Sequence, residues 1–125
     1  MNRTFAPTDG GNSLPTSVAV SPGAVRSLLA AATTTGPGPA VQPLMQKWSA
    51  LAYGSTSSGT GSATVQVQGS HDGLVWVNLG SALSLTLGVV ATAAAYDSNG
   101  VYPLVRANIT ALTGIGANVT ATLAE

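Results

Sequence analysis

The strongest constraint in this chain is a period of two. Ala63, Val65 and Val67 alternate with Thr64, Gln66 and Gln68, and Leu83, Leu85 and Leu87 alternate with Ser84 and Thr86. Val105, Ala107 and Ile109 alternate with Arg106 and Asn108, and Ala117, Val119, Ala121 and Leu123 with Asn118, Thr120 and Thr122. Successive side chains of a strand point to opposite faces, so each run buries one face and leaves the other to solvent or a partner. That is the pattern of half-buried antiparallel strands.

Turn signals separate the runs. Asp72-Gly73 and Asn99-Gly100 are hairpin dipeptides, and Thr113-Gly114-Ile115-Gly116 turns the chain between the last two strands. The spacing predicts a return strand over 74–79, with Val75, Val77 and Leu79 on one face and Trp76 and Asn78 on the other. Trp48 to Tyr53 fits a strand with Trp48, Ala50 and Ala52 inward. Gly36-Pro37-Gly38-Pro39 reads as a break, and Gly54 to Gly61 as a Gly/Ser/Thr loop. Residues 25–32 fit a strand or a short helix. Thr33-Thr34-Thr35 would not continue a helix, which favours the strand.

Seven to nine short strands without crossover helices give an all-β chain, an antiparallel β-sandwich or jelly roll over residues 17–125. Residues 1–16, with Pro7, Gly10, Gly11 and Pro15 and only Phe5 as an apolar anchor, read as an extended N-terminal arm.

Composition narrows the function classes. Four Lys or Arg balance four Asp or Glu, and charged residues are 6% of the chain, against about 25% in a typical soluble domain. Nucleic-acid binding needs clustered cations, and none cluster here. Near-zero net charge gives little protection against self-association, which suits a protein that lives in an assembly. No stretch reaches the length of a spanning helix, and Met1 is not followed by a secretory pattern. The expectation is therefore a protein made in the cytosol, with neither nucleic acid nor membrane as partner.

No residue cluster points to catalysis. His71 lies between Ser70 and Asp72, but three consecutive residues of a turn cannot form a nucleophile–base–orienter chain. One His, three Asp and one Glu offer no metal-ligand spacing, so neither cofactor nor metal is expected. The candidates that remain are for an interface: Arg3 and Phe5 on the arm, and Trp48, Trp76, Arg106 and Asn108 on strands. Core packing is the default for both tryptophans. Trp76 nevertheless opposes Val75 and Val77, which leaves both faces of its strand apolar and invites a covered outer surface or a sugar-stacking platform. Arg106, on a face otherwise of Asn and Thr, suits an intersubunit anchor.

The stretch from Ala63 to Leu79, with Ser70-His71-Asp72-Gly73-Leu74-Val75-Trp76 at its centre, resembles a hairpin of small β-sandwich virion proteins of tailed bacteriophages. Tyr102 to Thr110 followed by Gly114 to Leu123 looks like their closing hairpin. The likeness covers about half the chain, and similar hairpins occur in carbohydrate-binding sandwiches and tail proteins. It implies a capsid decoration, or cement, protein: a non-enzymatic homo-oligomer, dimer or trimer, on the capsid exterior of a virion assembled in a bacterial cytoplasm. Its partner would be the major capsid protein, whose expanded shell it stabilises by mass action. A tail, connector or fibre-base component and a carbohydrate-binding module are the alternatives.

Overall fold

The computed structural model describes residues 25–98 and 101–125. They form nine strands and no helix: β1 (Val25–Ala32), β2 (Gly36–Pro37), β3 (Ser49–Ser55), β4 (Ser58–Ser70), β5 (Val77–Asn78), β6 (Leu83–Leu87), β7 (Thr92–Asp97), β8 (Leu104–Ile115) and β9 (Asn118–Ala124). All pairings are antiparallel. One sheet has four strands in the order β1-β9-β3-β7. The other has five, in the order β2-β8-β4-β5, with β6 also paired to β4.

Buried residues from both sheets form one apolar cluster, an arrangement consistent with a β-sandwich. The alternating runs supply it. Ala63, Val65, Val67, Leu85, Leu87, Val105, Ala107 and Ile109 come from the five-stranded sheet; Trp48, Ala50, Ala52, Val119, Ala121 and Leu123 come from, or adjoin, the four-stranded one. Alanine at so many inner positions leaves room for Leu28, Leu87, Ile109 and Leu123, which are fully buried in the same core. Trp48 packs against Tyr96 with ring centroids 5.9 Å apart. A tilted aromatic pair of this kind adds about 0.5–1.5 kcal/mol beyond the area it buries.

Four expectations change. Residues 36–37 pair with Asn108 and Ile109 as β2, so the Gly-Pro run is a short edge strand before it is a break. The stretch 54–61 is mostly strand, with only Thr56 and Ser57 between β3 and β4. Ladder pairing is a property of the backbone, and Gly54 lies where a Cβ would collide with the Asn118 carbonyl. The turn expected at 113–116 begins later, because β8 continues to Ile115. The return strand expected over 74–79 shrinks to Val77–Asn78, for a reason given below. Residues 25–32 are a strand. The arm of residues 1–16 and the Asn99-Gly100 pair lie outside the described residues.

Register assigns every described charge to one end of the molecule. β9 ends at Ala124, beside Val25 and Ser49, and Ser49 pairs with Asp97. Val41 pairs with Val105 near the start of β8, and Ser70, at the end of β4, pairs with Leu104. This end therefore holds Arg26, Lys47, Asp72, Asp97, Arg106, Glu125 and His71. The opposite end joins the sheets through Thr56 N–H to Gly88 O (2.9 Å) and Ser57 N–H to Ile115 O (2.9 Å), and carries no charged side chain among the described residues.

Candidate interaction surface

The charged end is organised around the segment between β4 and β5. Ser70 is buried, and its Oγ accepts from Gly73 N–H (2.8 Å) and Asp72 N–H (3.3 Å) while facing Asp72 Oδ1 at 3.1 Å. Asp72 Oδ1 in turn accepts from Leu74 N–H (2.8 Å) and Val75 N–H (3.0 Å). These are the local side-chain-to-backbone bonds by which Ser and Asp compete with a ladder. The amides of Leu74 and Val75 are committed to the carboxylate, so they cannot pair with β4, and the chain rejoins the sheet only at Val77. Gly73 takes the positive φ, 79°, that the turn requires.

The same bonds set the electrostatics of Asp72. The Val75 amide, then the Leu74 amide, hold its carboxyl below the ordinary value, against a smaller opposing effect of desolvation and with further help from the Ser70 hydroxyl.

The consequence is an apolar tip held in place by polar bonds. Leu74 is 85% exposed and Val75 69% exposed, and Val77 is also exposed. Trp76 turns the other way. Its indole N–H donates to Gly73 O at 3.2 Å, and its ring lies under the Arg106 guanidinium, 4.1 Å from the ring centroid. Arg106 Nε donates to Gln68 Oε1 at 2.9 Å, and Gln68 Nε2 to Asn78 Oδ1 at 3.0 Å. A stacked, hydrogen-bonded guanidinium is ordered with its remaining donors free to meet a partner's acceptors.

Beside the tip, Gly69, Ser70, His71, Asp72, Val75, Val77 and Tyr102 line an open cleft of about 270 Å³. The His71 and Tyr102 rings meet at 5.6 Å on its wall. Tyr102 also borders a second, smaller depression with Leu44, Met45 and Val101, all three of them exposed.

Of the six interface candidates, the structure brings three together. Trp76, Arg106 and Asn108 share the outer face of the five-stranded sheet, with Asn108 two residues beyond Arg106 on β8 and opposite Gln66. Trp48, the residue before β3, is corrected from an interface candidate to a core residue, 5% exposed, because it shares the inward phase of Ala50 and Ala52. Arg3 and Phe5 lie outside the described residues. Gln66, whose alternation points it outward, is buried nonetheless: its amide donates to the carbonyls of Val67, Leu79 and Gly80. Leu74, Val75 and Tyr102 were not among the candidates. The Ser70-x-Asp72 spacing was the available signal, since it lengthens an Asp-Gly turn and lifts the following residues off the ladder.

Among the described residues no group of three or more His, Cys, Asp or Glu is placed to hold a metal ion. No family model, curated protein or solved structure matches the chain.

Proposed function

We propose that the chain is a structural virion protein of a tailed bacteriophage: a capsid decoration protein, its sandwich of the jelly-roll type, that binds the major capsid lattice as a homo-oligomer and stabilises the expanded head. The observation that carries this reading is the preorganised tip. Leu74 and Val75 stand out from a turn fixed by Ser70 and Asp72, beside a Trp76–Arg106 pair whose geometry is already set. A surface that is ordered before binding loses little conformational entropy on binding, and aromatic and Arg side chains are the usual anchors of such contacts. The near absence of charge supports the same reading, since it lowers the desolvation cost of covering large areas.

A glycan-binding module is the weaker alternative. A stacking platform would have to rest on Tyr53 or Tyr102, since Trp48 is buried and Arg106 covers one face of Trp76.

The test is co-sedimentation of purified protein with undecorated phage heads, expanded and unexpanded. Selective binding to expanded heads, abolished by Leu74→Asp with Val75→Asp, is the expected result. Both residues are exposed, so these changes leave the core intact. Equal recovery of the variant with the heads would remove the tip from the interface, and no binding to either head would remove the function.

A further inference from the structure

Among the described residues, each sheet edge except one carries a device that discourages strand addition. The outer edge of β1 contains Ala31 at a φ of 47° and two register shifts against β9, and Arg26 ties it to the Gln42 carbonyl. β2 is two residues long and includes Pro37. β5 is also two residues long, and on β6 the Thr92 hydroxyl occupies the Thr86 carbonyl at 2.8 Å.

β7 has none of these. Its six residues, Thr92–Asp97, pair with β3 in unbroken register, contain no Pro or Gly, and carry one charge, at the end. The bond from Ser98 N–H to Trp48 O, 3.0 Å, fixes the phase of the ladder. Tyr96, Ala94 and Thr92 then face β3, and the N–H and C=O groups of Ala93, Ala95 and Asp97 face away from it. Ala93, Ala95 and Asp97 are all exposed.

We infer that β7 is a dimerisation edge that pairs antiparallel with β7 of a second copy, with Ala95 opposite Ala95 on a two-fold axis. In that register Ala93 of each copy meets Asp97 of the other, and each directly opposed pair exchanges two N–H···O bonds. The register also explains why a second copy fits. The strand's single charge lies opposite an alanine on both sides of the axis, whereas parallel pairing would stack Asp97 on Asp97. The four-stranded sheets of the two copies become one continuous sheet, and its outer face presents Leu51 and Tyr53, both exposed in the single chain, from each copy. The inference gives a geometry to the homo-oligomer of the proposed function and rests on that reading only for its biological setting.

Sedimentation velocity without any capsid present tests it, together with two cysteine variants. The chain has no cysteine, so an introduced thiol is unique. The native chain is expected at twice the single-chain mass, and Ala95→Pro, which removes the central donor, at the single-chain mass. Should Ala95→Pro fail to fold, Ala93→Lys with Ala95→Lys, both exposed, replaces it. Ala95→Cys is expected to form a disulfide-linked dimer on mild oxidation, because opposed strand positions lie within reach of a disulfide. Val25→Cys, on the guarded β1 edge, is expected to remain unlinked. A native chain at the single-chain mass, or equal cross-linking at positions 25 and 95, overturns the inference. Either outcome leaves head binding to be judged separately by co-sedimentation.

Discussion

The two ends of the molecule show apolar side chains in opposite ways. At the hairpin end, Leu74 and Val75 are raised on a turn held by Ser70 and Asp72, next to Arg106, Trp76 and the Tyr102 cleft. At the other end, Val89, Val90 and Ile115 are as open, Val90 at 77%, and the two valines border a shallow depression with Gly59, Thr60, Gly88 and Thr92, with no charged side chain among the described residues there. The first end is built for a definite orientation, because a partner must satisfy a fixed guanidinium as well as cover the tip. The second offers area without direction. Exposed apolar area drives association, but polar groups fix its register.

The comparison can be broken most forcefully through the core that both ends share. Leu123, fully buried on the central strand β9, is expected to cost about 2–5 kcal/mol when changed to Ala. Chemical denaturation should show one transition moving to lower denaturant. Loss of one end before the other would show that the ends are independent. Next is the anchor at the hairpin end: Arg106→Met keeps the aliphatic stem and removes the cation, at about 0.5–1 kcal/mol. Emission from Trp76 should shift to longer wavelength while the buried Trp48 stays unchanged, and an unshifted spectrum would deny the stacking.

The turn itself is sharpened by pH. The folded-state carboxyl of Asp72 lies below its ordinary value, so its contribution is complete above the ordinary carboxylate value and is lost as pH falls through the lowered folded value. Amide exchange at Leu74 and Val75, corrected for intrinsic rates, should lose protection over that acid window, and Asp72→Asn should remove the pH response there. The smallest effect is expected at the uncharged end. Val89→Ser with Val90→Ser should leave stability within about 0.5 kcal/mol of the native chain, as exposed substitutions usually do, and should leave head binding intact.

Much of the fold was legible because its signal is local. The alternation over 104–109 and 117–123 needs only a period of two, and Val105, Ala107, Ile109, Val119, Ala121 and Leu123 are all buried. Gly54 to Gly61 misled because Gly and Ser carry little propensity for strands, while the ladder between β3, β4 and their neighbours binds backbone and needs close approach. The site was legible in part. Arg106 and Asn108 follow from alternation, and Trp76 from its place between Val75 and Val77. Leu74 and Val75 did not follow, because Asp72-Gly73 reads as a two-residue turn unless the Ser70 and Asp72 side chains are allowed to compete for the next amides. The segregation of charge to one end depends on long-range register, which no local pattern contains.

The proposed function stands or falls on where the hairpin points. Cryo-electron microscopy of undecorated, expanded phage heads mixed with the purified protein measures this directly. The account predicts ordered density at fixed lattice positions, touching at least two capsid subunits, with Leu74, Val75 and Arg106 at the contact. Bare heads, or bound protein with this hairpin turned to solvent, would contradict it.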